Sequence, residues 1–92
     1  MHIYKIYQLF TSPYRQYMAD YAKASANLLF VRKKIDEKGI NPELHQELAA
    51  AELALDAEYA KVKGVYQTSN MKDENLKSLN SIVEADYKVT RY

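Results

Sequence analysis

Two histidines, twelve acidic residues and one run of three basic residues are the groups in this 92-residue sequence that acid–base, metal or phosphate chemistry would have to use. His2 sits at the amino-terminal tip. His45 has Glu47 and Glu52 near it in sequence, but a helix brings ligands together at i, i+3 or i, i+4, and no Glu or His occupies those positions around it. The expected role of His45 is a solvated first-turn residue, and no metal or cofactor is expected. Cysteine is absent, which excludes disulfides, thiol nucleophiles and cysteine-based zinc sites. No Ser/His/Asp set, glycine-rich phosphate loop or Walker-type motif appears, so the chain is not expected to be an enzyme.

Arg32, Lys33 and Lys34 are the one basic cluster and the candidate contact for an anionic partner. Three consecutive helical positions spread over roughly 200° of the circumference, so they do not make a single phosphate grip. Asp36 and Glu37 follow at once and dilute the field. The plainer expectation is a solvated helix end whose positive charges suit the local dipole. A nucleic-acid partner is not expected. It would call for a basic face with stacking aromatics beside it, and the net charge here is only +1.

The tyrosines say more. There are nine, against two phenylalanines and no tryptophan. Tyr4, Tyr7, Tyr14, Tyr17 and Tyr21 crowd the amino-terminal third, while Tyr59 and Tyr66 come much later. A phenol buries a large ring yet keeps a hydroxyl that must find a partner or stay near water. Such residues serve a core, and they also serve contacts with another protein. Tyr4, Tyr7, Tyr14, Tyr17, Tyr87 and Tyr92 are the candidate protein-contact residues.

Three stop-and-start signals divide the chain into the elements that position these groups. In "TSP", Thr11 or Ser12 can cap a helix that Pro13 begins. Apolar or aromatic residues then recur at Tyr14, Tyr17, Tyr21, Ala24, Leu28, Val31 and Ile35, in alternating steps of three and four. That is the seam of a helix packed along its whole length. In "KGINPE", Gly39 can take the left-handed conformation that ends a helix, Asn41 can cap the next and Pro42 can open it. So short a connection folds the two helices back antiparallel. The second seam carries Leu44, Leu48, Ala51, Leu55, Tyr59, Val62 and Tyr66, with Gly64 as a weak point or an early end. In "QTSN", Ser69 or Asn70 can cap a last helix whose stripe is Leu76, Leu79, Val83 and Tyr87.

These signals predict a single all-α domain over 1–92: a segment at 1–12, helical or extended, then helices over 13–38, 42–67 and 70–88. In the antiparallel hairpin Tyr14 should approach Tyr66, and Tyr21 should approach Tyr59. Residues 13 to 38 sum to +3 and residues 42 to 63 to −3, so charge should tune a pairing that the apolar seam drives.

The stretch "KGINPELHQELAAAELALDAEYAKVKG" resembles the Asn-Pro turn and second helix of type III secretion needle subunits. The resemblance covers under a third of the chain and implies a helical hairpin that polymerises. The tyrosine-rich amino-terminal half and the additional helix depart from it.

The function expected on these grounds is a non-enzymatic helical protein–protein interaction protein. It would be a small structural or accessory subunit of a larger assembly such as a virion, or a self-associating bundle. The alternative is a small monomeric regulator that binds and blocks a target protein. No signal peptide or membrane span is expected, since no stretch approaches the ~20 apolar residues a span needs. The cytoplasm or a virion is the expected location.

Overall fold

The computed structural model describes residues 15–68 and 74–92. Within them the chain is all-α: α1 spans Arg15–Lys38, α2 Pro42–Thr68 and α3 Glu74–Arg91. The amino-terminal segment, the start expected at residue 13, the caps in 69–73 and the Tyr14–Tyr66 pairing lie outside the described residues. The third helix runs to Arg91 rather than ending at 88.

The hairpin turn forms from local chemistry. Gly39 adopts φ 77°, the left-handed region that a side chain would disfavour, and its N–H donates to the Ile35 carbonyl at 2.8 Å, closing α1. Asn41 Oδ1 then accepts from the Leu44 N–H at 2.8 Å, and the Asn41 carbonyl accepts from the His45 N–H at 2.8 Å. One side chain thus caps α2 while its own backbone opens the helix. Gly64 does not end α2. The helix passes through it to Thr68, whose Oγ1 donates back to the Gly64 carbonyl at 2.9 Å.

The two seams meet as the spacing predicts. Tyr21, Leu28 and Val31 from α1 pack against Ala51, Leu55 and Val62 from α2, with Tyr17, Ile35, Leu48, Tyr59 and Tyr66 partly buried beside them. Leu76, Leu79 and Val83 of α3 complete the same cluster. Leu28 and Leu55 lose all contact with solvent. Burying a leucine contributes roughly 1.5–3 kcal/mol, so this cluster outweighs any ion pair in the molecule. Across the hairpin Lys34 pairs with Glu47 at 3.5 Å, a contact whose exposure limits it to about 0–1 kcal/mol.

Candidate interaction surface

α3 packs more closely on α2 than on α1, and a groove of about 280 Å³ opens between α1 and α3. Met18, Ala22, Ala26 and Leu29 line it from α1, and Ile82 and Asp86 from α3. The small alanines make the slot, and the larger side chains make its walls. Leu29 and Ile82 stay substantially exposed, at 52% and 41%. Asp86 supplies the one charge in this lining. Its Oδ2 accepts from the Tyr21 hydroxyl at 2.8 Å and from Ser25 Oγ at 3.1 Å. Burial, and then the hydrogen bond to Asp86, push the Tyr21 phenol above the ordinary tyrosine range. Asp86 forms no ion pair among the described residues. An apolar slot holding a carboxylate fits an apolar segment flanked by a cation.

On the other side of α3 a polar and aromatic lattice ties it to α2. Tyr59 and Tyr87 stack with centroids 3.9 Å apart and planes 4° from parallel, and Tyr92 meets Tyr87 edge-on at 6.1 Å. The Tyr87 hydroxyl donates to Asp56 Oδ1 at 2.7 Å, and Arg91 Nε reaches the same oxygen at 3.0 Å. Arg91 also pairs with Glu52 at 3.0 Å. From α1, Arg32 donates to the carbonyls of Thr90 and Arg91, the latter at 2.8 Å. A guanidinium thereby satisfies two carbonyls that a helix end leaves free, and it complements the negative end of the dipole. This bond explains why α3 continues to Arg91. Arg32→Ala should therefore cost about 1–2 kcal/mol in urea unfolding, because charge-assisted hydrogen bonds are lost from a side chain that solvent partly screens. Arg32→Lys should recover only part of that, since an ammonium lacks the fork that spans two acceptors.

The lattice also carries a pH dependence. The hydrogen bond from Tyr87 holds the Asp56 carboxyl below the ordinary carboxylate range, with Arg91 adding to it and desolvation opposing. Because folding lowers this pKa, the stabilisation is complete above the unfolded carboxyl value of about 4 and is lost as pH falls through the lower folded value. Urea melts taken from about pH 5 down to pH 2 should show a shallower loss of stability in Asp56→Asn than in the parent chain. Equal slopes would remove Asp56 from the acid response. The same hydrogen bond, aided by burial, pushes the Tyr87 phenol up to about 12.

The residues singled out from the sequence are dispersed. Tyr17 is half-buried against the core, Tyr87 is held in the lattice, and Tyr92 is 85% exposed. Tyr4, Tyr7 and Tyr14 lie outside the described residues. Tyr21 and Tyr59 share the core cluster, but the stacked pair is Tyr59 with Tyr87, because α3 inserts its own ring there. The basic run is not a uniformly solvated helix end: Arg32 binds the end of α3, Lys34 pairs with Glu47 and lies over the Phe30 ring at 5.0 Å, and only Lys33 is freely exposed. Asp86 and Asp56 were not legible as site residues. The available signal was that each acid lies within one helical position of a seam residue, Leu55 or Tyr87. Among the described residues no group of three His, Cys, Asp or Glu side chains is placed to hold a metal, and no helix is long and apolar enough to cross a membrane. No family model, curated protein or solved structure matches this chain.

Proposed function

We propose that this is a non-enzymatic helical interaction protein, a small structural or accessory subunit of a larger assembly. The observation that carries this reading is the apolar groove between α1 and α3, walled by exposed Leu29 and Ile82 and holding the Asp86 carboxylate. Bundles take up a further helix in such grooves by its apolar face. Light scattering over a hundredfold range of concentration, with helicity and melting followed in parallel, tests the proposal. Association accompanied by a rise in melting temperature supports an assembly role, because a partner that binds only the folded chain stabilises it.

A second reading is favoured by the closure of the core within one copy, where Leu28, Leu55 and Leu79 are buried by the chain's own helices. Such a chain can act alone as a regulator, blocking a target with the same groove. A monomer whose melting does not depend on concentration supports that reading over the first.

A further inference from the structure

We infer that the occupant of the α1–α3 groove is a second copy of this chain, which presents the outward face of its α2, so that copies add head to tail. This inference rests on the interaction reading above and names the partner. The seam of α2, with Leu48, Leu55 and Val62, faces α1 and α3. Its opposite face carries Ala49, Leu53, Ala57 and Ala60, all exposed, with Leu53 at 69%. Between Gln46 and Gly64 these four positions form an uncharged line, bordered by Asp56 on one edge and Lys61 on the other. A solvent-facing helical stripe ordinarily carries charge, and a helix apolar on both sides is one that is covered on both sides.

The two surfaces match in form, length and charge. One is a slot lined by alanines, and the other is a smooth ridge of alanines with one projecting leucine. The groove runs from Met18 to Leu29 and the ridge from Ala49 to Ala60, so each spans eleven residue steps, about 17 Å at 1.5 Å per residue. Asp86 in the slot has no cationic partner among the described residues, and the one acid bordering the ridge, Asp56, is held by Arg91 and Tyr87. Lys61 flanks the ridge with its side chain half exposed, paired only with Glu58 of its own helix at 3.3 Å. Because slot and ridge lie on opposite flanks of one molecule, their union is heterologous. It leaves a free slot at one end and a free ridge at the other, and it propagates.

Sedimentation velocity of the full chain and two variants decides this. Leu53→Glu disables the ridge by bringing a second carboxylate to Asp86, and Ala26→Trp disables the slot by filling it. Both positions are exposed, so each variant should keep the parent's circular dichroism. The parent's mean mass should climb with concentration past that of a dimer. Each variant alone should associate on the order of a hundredfold more weakly, since one sets like charges against each other and the other leaves no room for the ridge. An equimolar mixture of the two should stop at a dimer, joining the intact slot of one to the intact ridge of the other. A mixture that stays monomeric, or a parent that halts at a dimer, overturns the inference. Association that survives both substitutions also overturns it while leaving the interaction reading intact. A parent monomeric throughout, with concentration-independent melting, ends the assembly form of both.

Discussion

Tyr21→Ala is expected to lower stability by about 2–5 kcal/mol, measured by urea unfolding, as for other large truncations in a core. The ring belongs to the buried core cluster with 4% of its surface exposed, and its hydroxyl donates to Asp86. The substitution therefore opens a cavity and leaves Asp86 with Ser25 and water. Tyr21→Phe separates the two effects: the packing remains, and the loss should be near 1 kcal/mol, the usual worth of a hydrogen bond. A domain of this size holds only ~5–15 kcal/mol in total, so the alanine variant should be substantially unfolded at modest urea concentrations. A loss under about 0.5 kcal/mol would place Tyr21 on a contact surface rather than in the core.

Leu55→Ala should cost a similar ~2–5 kcal/mol, and its neighbour provides the control. Leu55 is wholly buried, whereas Leu53, two residues earlier on the same helix, is 69% exposed. Leu53→Ala should change the stability of the isolated chain by no more than about 0.5 kcal/mol. Equal costs at the two positions would mean that α2 is rotated relative to the arrangement described, and the groove and ridge would have to be redrawn.

Helix existence, the hairpin and its seams were readable because each is specified locally. Steps of three and four put Tyr21, Leu28 and Val31 on one side whatever they pack against, and Gly39, Asn41 and Pro42 encode the turn through φ preference and capping. The polar partnerships were not readable. Asp86 serves Tyr21 and Ser25 only because α3 crosses α1 at that level, and Asp56 meets Tyr87 and Arg91 only because α3 lies to one side of α2. Sequence spacing fixes which face of a helix is apolar but not how far along its neighbour it lies. For the same reason Tyr59 could be assigned to the aromatic end of the hairpin, but not to Tyr87. The outward face of α2 was visible as an Ala/Leu-rich run. Its significance appears only once the opposite face is known to be filled.

The two carbonyls held by Arg32 give the end of α3 an unusual status. Terminal turns ordinarily fray, and their amides exchange with solvent hydrogen within moments of mixing. Here the last turn is pinned by a side chain from a helix nearly sixty residues earlier. Exchange protection should therefore persist almost to Tyr92, and anything fused beyond that residue would leave the domain from a fixed point in a fixed direction.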